Sequence, residues 1–295
     1  MKSDDPQIPS NLSDRCAGTY SIQLKNPNIP IFIEAKNNLI QLIRENPLQI
    51  INLAIRSRNS ELIAIPLPKN CTAWSRVLAE FVNQKGEVNF KGLLQKRADL
   101  DKYVLYVSKV NPSEDKKDFP DEMAVLAHYI NAYNALSMYN VLDSELPESL
   151  SGFKKVKFFY FKKFRIGGQE MSLYTYENDI IRKMGEERIH FALNCMSRGC
   201  PRLSRVPFTA KKLNQELDEQ ARFFFSEERN IQVDEKEKTV KLSEILDFFP
   251  EDFLKKAKSL IGYANRYRAK GKELPESYKE EFIPYDWRVN HVSVN

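Results

Sequence analysis

The sequence predicts an α+β fold, with a helix-rich N-terminal half followed by antiparallel β-hairpins and further helices in the C-terminal half. Three observations carry this. Apolar stripes at helical spacing dominate residues 72–143, the pattern turns extended and aromatic around Gly167 and Gly168, and two β-branched runs at 231–233 and 240–242 flank a charged turn. The composition fits a globular chain: 295 residues, 42% hydrophobic and 29% charged, with only 10 glycines and 15 prolines, which excludes fibrous and low-complexity classes. Lys and Arg number 45 against 40 Asp and Glu, and a net charge of +5 spread over mixed-charge stretches is too dilute to imply a nucleic-acid partner. Four cysteines are too few for a disulfide scaffold, so reduced thiols and a soluble, cytoplasm-like setting are the default expectation, with delivery by another route left open. The N-terminus lacks a charged start followed by an apolar run, and the longest apolar stretch, 47–68, is interrupted by Arg56, Arg58, Asn59 and Glu61. Neither a cleavable signal nor a transmembrane segment is expected.

Residues 1–71 read as an N-terminal arm and helical extension, and 72–295 as the main domain. In the extension, Leu39, Leu42 and Ile43 have helical spacing, and the β-branched stretch 47–68 ends at Pro66 and Pro68. Thr72 can cap a helix whose Trp74, Val77, Leu78 and Phe81 share one face, with Gly86 beyond its end. Pro120, Asp121 and Glu122 mark the start of a longer helix, in which Met123, Leu126, Ala127, Ile130 and Tyr133 form a core-facing stripe toward Asp143. Residues 156–173 read as a hairpin turning at Gly167 and Gly168. Residues 172–184 read as a short helix stopped by Gly185, and 188–194 as a buried strand. A helix over 209–225, the hairpin at 231–242, a short helix capped by Ser243 and a long final helix over 253–267 complete the reading.

Chemistry concentrates after the second of three histidines. His190 lies in an apolar run that delivers Cys195 and Cys200 into the loop Cys195-Met196-Ser197-Arg198-Gly199-Cys200-Pro201. A thiolate is the reactive form of cysteine, and Arg198 together with the glycine-containing loop can supply part of the field that lowers its pKa. On a strand, His190 and Cys195 face opposite sides and pair only if the chain turns first, whereas Cys200 has the compatible even spacing. The bland alternative is a buried histidine above two inert thiols. Glu177 falls within the apolar arc of its helix. A core-facing carboxylate must be paired or have a shifted pKa, which suggests either an orienter of His190 and acid/base group or an ion pair with an arginine such as Arg188. Asn131 and Asn134, three residues apart with His128 preceding, can clamp loop backbone or line a pocket. No P-loop, dinucleotide fingerprint or Gly-x-Ser-x-Gly elbow is present, and His190, Cys195 and Cys200 lack the spacing of a zinc site, so no cofactor or metal is expected.

Several ordered motifs resemble the DUF547 family, a domain named for its unknown function. They are Trp74 and its helix, Ile130-Asn131-Ala132-Tyr133-Asn134-Ala135-Leu136, Ser172-Leu173 leading to Glu177 and Arg182, and Arg188-Ile189-His190-Phe191-Ala192-Leu193-Asn194-Cys195 followed by Cys200-Pro201. Leu242-Ser243 before Asp252-Phe253, and Tyr285-Asp286-Trp287 ending at Asn290, complete the set. The resemblance spans about residues 72–292. It implies a compact α+β domain likened to papain-type cysteine peptidases, with Glu177, His190 and Cys195 at the positions proposed as catalytic-like. Two departures are His128-Tyr129, where an aromatic pair usually precedes the Ile-Asn-Ala-Tyr-Asn motif, and Arg288, where a small residue is common.

The functional expectation is a cysteine-dependent hydrolase or acyltransferase of unknown, peptide-like substrate. Cys195 is its nucleophile with Cys200 as the alternative, His190 the base, Glu177 its orienter, and Asn131 or Asn134 polarises the carbonyl or holds the loop. The competing expectation is a non-catalytic protein-interaction domain with a structural polar network.

Overall fold

Helices dominate the first half of the computed structural model, which describes residues 71–292. They are α1 (Cys71–Phe81), α2 (Phe90–Gln95), α3 (Ala98–Lys109) and α4 (Glu122–Asp143). The expectations for 1–70 lie outside the described residues. Trp74, Val77, Leu78 and Phe81 bury one face of α1 as their spacing predicts, and α3, which has no counterpart in the sequence reading, buries Leu100, Tyr103, Val104 and Val107 at the same intervals. Asp121 caps α4 by accepting from the Ala124 N–H at 2.8 Å. Every residue of α4 from Leu126 to Leu142 except Tyr129 is buried. It is therefore a central helix, covered nearly all round, and its polar residues must be satisfied inside the protein.

After α4 the chain differs from its expected extended form. Helix α5 (Phe153–Val156) runs into a π-helical turn, Lys157–Phe161, before the hairpin of β1 (Lys163–Ile166) and β2 (Gln169–Ser172). The reason is periodicity: in the π-helical turn only Phe158 is buried, a one-face pattern rather than the alternation a strand requires. Gly167 and Gly168 both have positive φ, +55° and +84°, as a two-residue hairpin turn needs. Their N–H groups donate to the Val107 and Ser108 carbonyls at 2.9 and 2.8 Å, tying the turn to the end of α3.

The helical stretch after β2 is α6 (Leu173–Thr175), a π-helical turn Tyr176–Ile181 and a 3-10 turn Arg182–Met184, ended by Gly185 at φ +76°. Residues 188–194, expected as a strand, instead form the 3-10 turn Glu187–Phe191 and a loop. A short apolar run signals burial without specifying conformation, and here Ile189 enters one core while Phe191 enters another. Helix α7 (Leu213–Phe224) buries Leu213, Leu217, Ala221 and Phe224.

Strands β3 (Ile231–Asp234) and β4 (Thr239–Ser243) form the expected antiparallel hairpin. Strand β5 (Lys279–Ile283), absent from the sequence reading, adds in parallel to the other edge of β4. The short helix expected after Ser243 is α8 (Ile245–Phe248), and the expected final helix over 253–267 is broken into α9 (Pro250–Leu254) and α10 (Leu260–Asn265). Ser259 makes the break by accepting from the Gly262 N–H at 2.9 Å, starting a new helix instead of continuing the old one. One core surrounds α4; the other joins Phe191 to α7, the three-stranded sheet, α9 and α10. No described helix is long and apolar enough to cross a membrane. The C-terminal segment then returns over the junction of the cores, where the Arg198 and Gly199 N–H groups donate to the Arg288 and Asp286 carbonyls and the Asn290 N–H donates to the Met196 carbonyl.

Candidate active site

The loop between the cysteines is folded so that its ends meet. Asn194 Nδ2 donates to the Pro201 carbonyl at 2.7 Å, and Asn194 Oδ1 accepts from the Met196 N–H at 2.7 Å. Met196 adopts a left-handed conformation, φ +69°, turning the chain back. Its cost is carried by that hydrogen bond and by full burial of its side chain. Cys195 Sγ consequently lies 2.9 Å from Cys200 Sγ, longer than a covalent S–S bond of about 2.05 Å. Both thiols are free. The Cys195 N–H donates to Cys200 Sγ at 3.0 Å, and Tyr285 Oη sits 3.0 Å from Cys200 Sγ and 3.3 Å from Cys195 Sγ. Ser197 Oγ is 2.9 Å from Cys195 Sγ and 3.0 Å from Tyr285 Oη. A Cβ on Gly199 would stand 2.8 Å from the Tyr285 ring, so glycine is what lets this tyrosine reach the thiols.

A cleft of about 330 Å³ opens over this cluster, lined among others by Tyr133, Glu177, His190, Cys195, Cys200 and Tyr285. Glu177, half-buried on the π-helical turn after α6, accepts a 2.6 Å hydrogen bond from Tyr133 Oη of α4. His190 stacks on Phe249 with ring centroids 4.2 Å apart. Its Nε2 is 2.9 Å from Asp252 Oδ2, which also accepts from Arg182 Nε at 2.8 Å. Arg182 further pairs with Glu251 and lies over the Phe249 ring. A carboxylate only accepts, so Nε2 carries the proton and Nδ1 is the basic nitrogen of the neutral ring.

The two thiols differ electrostatically. Burial works against a Cys200 thiolate, but donors from Cys195, Tyr285 and Ser197 outweigh it and bring its pKa down to about 6. Burial, together with the neighbouring Cys200, pushes the Cys195 thiol well up. Glu177 is raised to about 7, first by burial and further by the Cys200 charge, against the Tyr133 hydrogen bond and the more distant Arg182. Burial lowers His190 despite Asp252, whereas the His190 hydrogen bond and Arg182 hold the Asp252 carboxyl far below the usual carboxylate range. Cys200 is thus the thiolate and Glu177 the group that titrates near neutrality.

The structure brings Glu177, His190, Cys195 and Cys200 to one cleft, as the sequence pattern suggests, but pairs them differently. Glu177 bonds to Tyr133 and His190 to Asp252; among the described residues no hydrogen bond joins His190 to a sulfur or to Glu177. Arg188, the candidate ion partner of Glu177, pairs with Glu186 and Asp218 instead. Asn131 is a clamp: it donates to the Phe208 carbonyl at 2.8 Å and accepts from the Phe208 N–H at 3.0 Å and the Trp74 indole N–H at 3.2 Å. Asn134 similarly donates to the Ala192 carbonyl at 2.9 Å and accepts from the Asn194 N–H at 2.7 Å. These amides hold the cysteine loop from behind, and neither they nor Arg198 line the cleft. The sequence alone does not mark Tyr133, Asp252 or Tyr285 as site groups. Tyr133 is masked by its place in an apolar stripe, and the other two arrive from elements far along the chain.

Comparison with known proteins adds one match: the family described as "Protein of unknown function, DUF547" covers residues 118–225. No curated protein and no solved structure matches the chain. The matched region holds Asn131, Asn134, Glu177, His190, Cys195 and Cys200, while Asp252 and Tyr285 lie outside it. Over residues 118–225, the stretch that holds the cysteine loop, this chain matches the DUF547 family.

Proposed function

We propose that the cleft carries out cysteine-dependent acyl transfer, hydrolysing or transferring the acyl group of an amide or thioester in a peptide-like substrate. Cys200, rather than Cys195, is the nucleophile in this reading. The observation that carries it is the convergence of the Cys195 N–H and Tyr285 Oη on Cys200 Sγ, each at 3.0 Å, beside a cleft that also holds Glu177. Donors aimed at a sulfur favour its anion, and the thiolate is the attacking form.

In the first step Cys200 Sγ forms a bond to the acyl carbon. The bond to the leaving nitrogen or sulfur then breaks, and the leaving group takes the proton of the Glu177 carboxyl. In the second step the Glu177 carboxylate removes a proton from water or another acceptor, whose oxygen attacks the thioester and expels the Cys200 thiolate. Glu177 suits both steps because its pKa of about 7 makes both forms available near neutral pH. His190 is a less suitable base, since burial lowers its pKa and Asp252 occupies Nε2. Asp252 and His190 together fix the wall on which Phe249 and Arg182 rest.

The test is alkylation of the full chain by iodoacetamide near neutral pH, with the modified peptide identified by mass spectrometry. Cys200 is expected to react faster than an ordinary exposed thiol, and Cys195 only slowly. If neither exceeds an ordinary thiol, the acyl-transfer reading fails. The non-catalytic interaction domain then stands, favoured by the closed His190–Asp252 and Glu177–Tyr133 pairs.

A further inference from the structure

A second surface feature borders the cleft, whose wall Lys155, Tyr160 and Tyr174 share, but includes none of the groups assigned to the thiol chemistry. Between Leu150 and Gln169 the chain has no acidic residue, yet carries Lys154, Lys155, Lys157, Lys162, Lys163 and Arg165. Lys162 pairs with Asp143, and Lys155 lies over the Trp287 ring at 3.9 Å. Lys154, Lys157, Lys163 and Arg165 are exposed, with no ion pair among the described residues. The same segment leaves large aromatic side chains in water: Phe153 is 73% exposed, Phe161 62% and Tyr160 43%, and Tyr174, stacked on Tyr160 at 4.4 Å, is 42% exposed. Exposed aromatics grouped together mark an interaction surface rather than scattered exposure.

We propose that this face docks on the headgroup region of an anionic lipid bilayer. Phe153 and Phe161 enter the interface while the unpaired lysines and Arg165 meet lipid anions. Aromatic rings prefer the bilayer interface, and long cationic side chains reach headgroups while their methylene stems lie along apolar surface. The surface lies flat on the membrane, since the helical turns of 153–161 are far too short to span one. Ring geometry favours lipid over single-stranded nucleic acid. Phe153 and Phe161 meet edge to face at 67°, and Tyr160 and Tyr174 cover one another, so no pair presents parallel open faces between which a base can enter.

Co-sedimentation of the full chain with vesicles tests this, comparing phosphatidylcholine alone with phosphatidylcholine containing about 30% phosphatidylserine. Binding to the anionic vesicles is expected to be roughly tenfold stronger and to weaken with added salt. It should fall by about the same factor in F153S/F161S and in K154E/K157E/K163E. All five positions are exposed, so the circular dichroism spectrum and the Cys200 alkylation rate should stay as in the parent, separating loss of docking from misfolding or a failed cleft. Equal binding to both vesicle types, no binding to either, or undiminished binding by either variant overturns the proposal. So does capture of a single-stranded oligonucleotide in place of vesicles.

Discussion

Asp252 accepts a hydrogen bond from His190 Nε2 at 2.9 Å across a separation of 62 residues, and the same oxygen accepts from Arg182 Nε at 2.8 Å. The histidine is therefore oriented by Asp252 of α9, between β4 and β5, and not by Glu177. A histidine buried this deeply keeps its tautomer only if such a partner is present.

Asp252→Asn is expected to lower the His190 pKa further, because it removes the anion that opposes desolvation of the imidazolium. It should also destabilise the fold by about 2 to 4 kcal/mol, since Arg182 loses a largely buried partner. The imidazole carbon shift followed by NMR across pH reads the first effect, and urea unfolding the second. A His190 titration that stays where it was would show that the pairing does not govern the ring.

Tyr285→Phe removes one donor from Cys200 and should move the midpoint of its alkylation upward from about 6, by roughly one pH unit. Cys195→Ala should act in the same direction, because the Cys195 thiol is also a donor to that sulfur. The measurement is the iodoacetamide rate against pH for each variant; a midpoint unchanged in both would mean the thiolate is held by something else.

Glu177 has a pKa of about 7 in the fold, above its ordinary 4.5. The folded state favours its neutral form, so the associated stability is complete below about pH 4.5 and is lost as pH rises through 7. Glu177→Gln keeps the group neutral and should flatten that loss, which is on the order of 2 to 3 kcal/mol. Denaturant midpoints at about pH 5 and about pH 8.5 provide the comparison. Parallel pH dependence in the two proteins would refute the assignment.

His128 is buried among Tyr106, Phe119 and Tyr129, its Nε2 has no partner among the described residues, and burial lowers its pKa from 6.5 to about 4. The unfolded chain takes up a proton before the folded one does. Stability is thus full above about pH 6.5 and falls by roughly 3 kcal/mol as pH drops toward 4. His128→Phe should remove this acid sensitivity and stabilise the protein by about 1 kcal/mol at neutral pH, by eliminating an unsatisfied buried nitrogen. Thermal melts at neutral and acidic pH measure both effects.

How much of this was legible depends on how local each signal is. The stripe of α4, the glycine pair of the first hairpin and the two-cysteine loop are encoded within a few residues, and each was readable as such. Asn131 and Asn134, three residues apart on one helix, stand out in the sequence as either a backbone clamp or pocket-lining amides, and only their long-range partners decide for the clamp. The strand expected at 188–194 failed because apolar content alone cannot separate a buried strand from a buried 3-10 turn. The long final helix failed because the apolar spacing over 253–267 outweighed Ser259, although a serine three residues before Gly262 is itself a helix-start signal. Asp252 and Tyr285 could not be tied to His190 or the thiols by spacing, since tertiary contacts at separations of 62 and 90 residues leave no periodic trace.

The returning C-terminal segment gives the site an order in time. Cys195 and Cys200 leave the ribosome well before Tyr285, which follows Cys195 by 90 residues. Until Asp286, Arg288 and Asn290 stitch onto the loop through their backbone, the thiols lack the Tyr285 hydroxyl and the covering chain. The contacts within the loop, the Cys195 N–H and thiol on Cys200, can form early, whereas the Tyr285 hydroxyl joins them only when this late-arriving strap docks.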